Sequence, residues 1–61
     1  MSKERFDRVY KTMFYSVGNG KQIAKCLPTN IFYKNENEYT LINVKGKSRK
    51  EIRKIARELI A

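Results

Sequence analysis

The stretch from Lys45 to Ala61 constrains the fold most, because it carries a helix start signal and a helical apolar repeat. Ser48 is followed three residues later by Glu51, the spacing of a capping box. In that motif the serine hydroxyl accepts from the Glu51 amide, and the glutamate reaches back to the serine amide. Apolar residues then recur with helical spacing, at Ile52, Ile55, Ala56, Leu59 and Ile60. We predict a C-terminal helix that starts at Ser48 and packs this face on the core, so that Ile55→Ala unfolds much of the domain.

The opposite side of the same helix is predicted to be cationic. Lys50, Arg53, Lys54 and Arg57 follow the same periodicity, and seven of the 14 Lys and Arg residues lie between Lys45 and Arg57. Cations near a helix N-terminus oppose its dipole at roughly 0.3 to 1 kcal/mol each, yet with the free amides there they form a ready anion site. The alternative explanation for this cationic side is an ordinary solvated surface that binds no anion. We expect phosphate contacts from the following residues: Lys45, Lys47, Arg49, Lys50, Arg53, Lys54, Arg57, Lys21 and Lys25, with Lys34 as a further candidate.

Size and charge limit the classes of function. The 61 residues form one small basic domain (1–61) with a net charge of +8, which favours a polyanionic partner: nucleic acid first, or an acidic protein surface. No apolar run is long enough to span a membrane, and the apolar helix face is needed for the core, so no membrane partner is expected. Cys26 has no second cysteine and the chain has no histidine, so no metal site, disulfide or cofactor is expected. We predict a cytoplasmic, reducing location and no catalysis, since the six carboxylates are scattered.

The rest of the chain favours strands. Residues 12–17 show the alternation of a strand, and a second strand is predicted at residues 21–27. Gly18, Asn19 and Gly20 between them are predicted to be the positive-φ residues of a tight hairpin loop. The alternative is a first helix at residues 3–15. Pro28 marks a bend or strand end. A second hairpin joins residues 31–34 to 39–44, with Tyr39, Leu41 and Asn43 on one face and a cross-strand pair of Tyr33 with Tyr39. Most aromatic residues are expected in the core. We predict an α+β fold, a small antiparallel sheet of three or possibly four strands against one C-terminal helix (β-β-β-α), or α-β-β-β-α.

The segment from Gly46 to Ala56, directly after a strand, resembles the end of a double-stranded-RNA-binding domain. In that family a Ser/Lys/Lys-x-Ala-Lys run opens the last helix, and the resemblance implies that Arg49, Lys50 and Arg53 contact phosphates. The segment is also similar to the three-stranded-sheet-plus-helix arm-binding domains of phage and transposon integrases. Ile52 stands where the RNA-binding family has a small alanine. The resemblance implies this architecture and cationic phosphate contacts over about sixteen residues.

Two functions follow as hypotheses. The first is a non-enzymatic nucleic-acid-binding protein that contacts phosphates through the basic C-terminal helix and the turn before it. The alternative is a small regulator of the phage or mobile-element type, which binds and inhibits a larger host protein through its basic face.

Overall fold

The computed structural model describes residues 3–61 as a four-stranded sheet with a helix at each end of the chain. The elements in chain order are α1 (Lys3–Val9), a 3-10 turn (Tyr10–Thr12), β1 (Tyr15–Asn19), β2 (Gln22–Cys26), β3 (Asn30–Asn35), β4 (Glu38–Asn43) and α2 (Arg49–Ile60). All neighbouring strands are antiparallel, in the order β1-β2-β3-β4. The predicted α+β class, with a small antiparallel sheet and a C-terminal helix, is confirmed, and the sheet has the larger of the two predicted strand numbers.

The N-terminal segment combines the two alternatives that the sequence allowed. The chain is helical from Lys3 to Thr12, and extended from Tyr15 onward, so the predicted helix ends early and the predicted strand starts late. The helix α1 has only seven residues, too few to be stable by propensity alone. Its extent is therefore fixed by packing, which explains why the local pattern was ambiguous.

The first hairpin turns two residues later than predicted. Asn19 pairs with Gln22, so the loop is Gly20 and Lys21, and Gly18 lies inside β1. Among the described residues a positive φ occurs at Glu36 (53°) and Gly46 (89°), so the predicted positive φ at Gly18 and Gly20 is wrong. Gly18 is required for another reason, since a Cβ there would lie 2.8 Å from the carbonyl oxygen of Gln22.

The start of α2 follows the capping prediction. The Oγ of Ser48 accepts from the Glu51 amide at 3.2 Å, and the hydrogen bonds described for residues 3–61 do not include the reciprocal bond to the Ser48 amide. Just before it, the Lys47 amide donates to the Val44 carbonyl at 3.1 Å. Gly46 has φ 89° in this turn, as the third residue of a type II turn requires. The strand-to-helix connection is thus set by local chemistry.

The core lies between α2 and one face of the sheet. Its fully buried residues are Ala24, Cys26, Ile31, Val44, Ile52 and Ala56. Ile55, Leu59 and Ile60 are only partly buried, because the helix contacts the sheet along the Ile52–Ala56 side. The predicted apolar face is therefore correct as a set, while its centre is Ile52 rather than Ile55. At the far end of α2 the Nδ2 of Asn19 donates to the Ile60 carbonyl at 3.0 Å.

The second hairpin matches its predicted faces and corrects one pairing. Leu41 pairs with Phe32 and Ile42 with Ile31, so Tyr39, Leu41 and Asn43 share one face of β4 as predicted. The structure adds that the other face, with Ile42, packs on the core. The predicted Tyr33–Tyr39 pair is wrong. Tyr39 lies opposite Lys34, so the two tyrosines lie on opposite faces of the sheet.

Candidate nucleic-acid interface

Three arginines spaced four residues apart form a row along the side of α2 that faces the start of β1. We call Arg49, Arg53 and Arg57 the arginine row. The guanidinium carbon of Arg49 lies 4.6 Å from the centre of the Phe14 ring. Those of Arg53 and Arg57 lie 5.2 and 5.7 Å from the centre of the Tyr15 ring. These distances are within the range of cation–π contacts.

The rings that orient the row come from the entry to β1. Tyr15 is on the helix-facing side of the sheet, opposite Cys26, and Phe14 and Tyr15 are half-buried against the core. The Nε of Arg57 also donates to the Tyr15 hydroxyl at 3.2 Å. A rigid ring beneath a long side chain reduces the number of conformations that the guanidinium can adopt, so the row is partly pre-organised.

Arg53 is the most constrained member of the row. Its Nε is buried and has no hydrogen-bond partner among the described residues. A desolvated donor without an acceptor costs roughly 1 to 3 kcal/mol. Stability alone therefore does not account for an arginine at this position.

The buried thiol near Arg53 has no evident chemical role. Cys26 is fully buried. Burial raises the pKa of the Cys26 thiol, and the nearby positive charge of Arg53 acts in the opposite direction. A protonated, enclosed thiol is a poor nucleophile.

A second set of cations lies outside the described contacts with Phe14 and Tyr15. Lys47, Lys50 and Lys54, which we call the lysine row, are all exposed. The predicted stripe of Lys50, Arg53, Lys54 and Arg57 thus divides into arginines against an aromatic ring and exposed lysines without a described ring contact. Two members of the lysine row, Lys47 and Lys54, line a shallow depression together with Glu51, Glu58 and Ile55. The positive charge is therefore concentrated on the β1 side of the helix.

The arginine row has no acidic partner in the described part of the chain. No carboxylate of residues 3–61 forms an ion pair with Arg49, Arg53 or Arg57. Like charges four residues apart on a helix destabilise it by roughly 0.2 to 0.5 kcal/mol per pair. Arg49 is also in the first turn, where a cation opposes the helix dipole. An anion placed along the row would offset both effects.

Lys25, a predicted phosphate contact, lies apart from this surface and is buried. Its side chain is 6% exposed, with the Nζ 3.8 Å from an oxygen of Asp7 and 4.4 Å from the centre of the Tyr10 ring. Lys25 lies on the sheet face away from α2, beneath the N-terminal segment. Desolvation by burial lowers the pKa of Lys25, Asp7 raises it, and the positive charge of Lys34 lowers it further.

The remaining predicted cations are dispersed. Lys21 is in the β1–β2 loop, 3.5 Å from the carboxylate of Glu36, at the end of the sheet where α2 finishes. Lys34 shares the far face with Tyr39, with its Nζ 5.6 Å from the centre of that ring. Lys45 is exposed in the turn before α2. Only Lys45 and Lys47 extend the surface formed by α2.

The sequence predicts that most aromatic residues lie in the core. It does not predict that Phe14 and Tyr15 also orient the arginines. The available signal was the distribution of the two cationic residue types along the helix. Arginine recurs at i, i+4 and i+8, and the other cationic positions of the helix are lysines. Within residues 3–61 no cluster of three metal-ligating side chains occurs. No helix in this part of the chain is both long and apolar enough to cross a bilayer.

Comparison with known proteins gives no assignment: no protein-family model, curated protein or solved structure matches this chain. The resemblance of residues 46–56 to the RNA-binding and arm-binding domains therefore stays a prediction.

Proposed function

We propose that this chain is a non-enzymatic nucleic-acid-binding protein that contacts phosphates through the arginine row. The observation that carries the proposal is the row itself: three guanidinium groups held against aromatic rings, with no carboxylate partner among the described residues. Planar guanidinium groups bind phosphate through two parallel hydrogen bonds, which a lysine cannot do.

The spacing of the row suits a polymer of regular charge. Successive members are four residues apart, so they rise about 6 Å along the helix axis, and the row spans about 12 Å. One strand of a duplex carries a phosphate about every 3.4 Å of its axis, so the row extends over three to four phosphates. The net charge of +8 favours a polyanion, with nucleic acid ahead of an acidic protein surface.

The lysine row enlarges the contact and adds long-range attraction. Lys47, Lys50 and Lys54 are exposed next to the arginine row, and the chain as a whole carries a net charge of +8. Such a field raises association rates with polyanions. In this proposal the arginines supply oriented contacts and the lysines supply mainly non-directional attraction.

Two triple variants with equal charge change test this division. R49Q/R53Q/R57Q and K47Q/K50Q/K54Q both reduce the net charge from +8 to +5 (8 − 3 = 5). Affinity is measured by fluorescence anisotropy with labelled duplex and single-stranded DNA and RNA. Because each guanidinium group can form two parallel hydrogen bonds to a phosphate, whereas a lysine ammonium acts as a point charge, we expect a loss of about a hundredfold for the arginine triple and about tenfold for the lysine triple.

A charge-conserving variant separates geometry from charge. R49K/R53K/R57K keeps the net charge and removes the planar groups, so we expect weaker binding than the parent and stronger binding than the glutamine triple. Circular dichroism checks that every variant is folded. Equal losses in the two glutamine triples would contradict the arginine row as the site. No binding of the parent to any polynucleotide would overturn the proposal, and would leave the acidic surface of a host protein as the partner to test.

A further inference from the structure

A second line of charges runs along α2, and its sign changes at every step. We call this line the alternating stripe; its members are Lys47, Glu51, Lys54 and Glu58. Spacings of four, three and four residues place side chains on the same side of a helix. All four side chains are exposed, and together with Ile55 they line one shallow depression. The stripe is therefore a single surface with both signs of charge.

The alternating stripe lies on the flank of α2 away from the arginine row. Residues two apart on a helix point about 200° away from each other, because each residue turns the helix by about 100°. Glu51 is two residues from both Arg49 and Arg53, so its side chain points nearly opposite to theirs. A partner on the stripe leaves the arginine row uncovered.

The charges of the stripe are not paired within the described part of the chain. Neighbours in the stripe are three or four residues apart, a spacing at which opposite charges on a helix can pair. The ion pairs described for residues 3–61 nevertheless include none of the four side chains. The stripe thus presents four charges to a partner that carries the opposite signs at the same spacing.

The stripe itself has that complementary pattern. About its midpoint, Lys47 mirrors Glu58 and Glu51 mirrors Lys54. A twofold axis through the midpoint sets α2 antiparallel to α2 of another copy, and in such an interface each contact occurs twice. We propose that two copies of this chain associate through antiparallel packing of their α2 helices along the alternating stripe. The contact then contains two Lys47–Glu58 pairs and two Glu51–Lys54 pairs.

Ile55 supplies the apolar part of this contact. It is only partly buried against the core of its own chain and lines the depression. In the proposed register Ile55 stands opposite position 50 of the second copy, at the hole between Lys47, Glu51 and Lys54. The lysine stems cover apolar surface while their ammonium groups reach the glutamates. Since exposed ion pairs are individually weak, the dimer is a weak one.

The dimer and the proposed function share two lysines. Lys47 and Lys54 also belong to the lysine row, so a polynucleotide and a second copy compete for them. This competition rests on the proposed function, whereas the dimer is measured without nucleic acid and does not depend on it. We expect a saturating duplex oligonucleotide to shift the dimer toward monomer. Binding of the duplex without such a shift would overturn the competition.

Charge exchange along the stripe provides a matched set of variants. K47E/K54E makes the stripe wholly acidic, and E51K/E58K makes it wholly basic. Each variant meets its own copy with like charges at every pair, so we expect its self-association to weaken at least tenfold. An equimolar mixture of the two restores all four pairs as a heterodimer. The control K47E/E51K/K54E/E58K reverses every sign, keeps the net charge and stays self-complementary, so it should associate like the parent.

Sedimentation equilibrium up to about 1 mM protein, where weak contacts become populated, measures association of the parent, of each variant and of the mixture. Zero-length carbodiimide cross-linking of the parent locates the contact. Lys47 and Glu58 are separated by roughly 16 Å along one helix, so a cross-link between them forms only between copies. This readout needs no variant, and it decides the question if an exchanged variant does not fold, which circular dichroism shows.

We expect a parent dimer with the Lys47–Glu58 cross-link, and a mixture that associates more strongly than either double variant alone. A parent that stays monomeric at all concentrations would overturn the proposal. So would a dimer without this cross-link, or a folded pair of double variants whose mixture associates no better than its components.

Discussion

Truncation of two isoleucines one turn apart on α2 tests where the core lies. Ile52 is 1% exposed, whereas Ile55 is only partly buried. Ile52→Ala removes three buried carbon groups at about 0.8 kcal/mol each, or about 2.4 kcal/mol. The enclosed cavity raises the cost to roughly 3 to 4 kcal/mol. Ile55→Ala removes the same groups from a partly buried site that solvent already reaches, so we expect it to lower the free energy of unfolding by only about 1 to 1.5 kcal/mol.

The magnitude matters because the domain is small. At roughly 0.05 to 0.15 kcal/mol per residue, a chain of this length has a total stability of about 3 to 9 kcal/mol. Urea titration followed by circular dichroism should show Ile52→Ala largely unfolded or with a strongly lowered midpoint, and Ile55→Ala folded. Equal losses, or a larger loss at Ile55, would refute the placement of the helix on the sheet.

Two further predictions concern the sheet. Gly18→Ala should cost roughly 1 to 3 kcal/mol in urea titration, since its Cβ would lie 2.8 Å from the Gln22 carbonyl oxygen. Gly20→Ala, with nothing within 4 Å, should be neutral or stabilising by up to about 1 kcal/mol. Lys25→Met should raise stability at neutral pH, because burial lowers the pKa of Lys25 and the folded state disfavours its charge. The unfolded chain holds that proton longer, so the parent regains stability as pH rises toward the ordinary lysine pKa. The advantage of Lys25→Met should then shrink, and a pH-independent difference would contradict this account.

The parts of the fold that local chemistry determines could be predicted from the sequence. The start of α2 depends on Ser48 and on the turn at Gly46, both visible in the chain. The faces of β4 follow from strict alternation. The helical segment before β1 could not be assigned, because a helix of seven residues is stable only through contacts elsewhere in the structure.

The site was predictable as a region and not as an arrangement. Cationic spacing located α2 as the basic element, but it gave no information on which cations face aromatic rings. That depends on how β1 is placed beside the helix, because Tyr15 contacts Arg57 across 42 residues of sequence and also contacts Arg53. The burial of Lys25 could not be predicted for the same reason, since it depends on Tyr10 and Asp7 of the N-terminal segment.

The salt dependence of polynucleotide binding tests the central claim most directly. With the six cations of the arginine and lysine rows each neutralising one phosphate, the logarithm of affinity for duplex DNA should fall against log salt with a slope of about −5, at 0.9 per contact. In R49Q/R53Q/R57Q the slope should be about −3. In R49K/R53K/R57K the slope should remain at the parent value while affinity falls. A parent slope near zero, or a slope unchanged in the glutamine triple, would contradict phosphate binding by the arginine row.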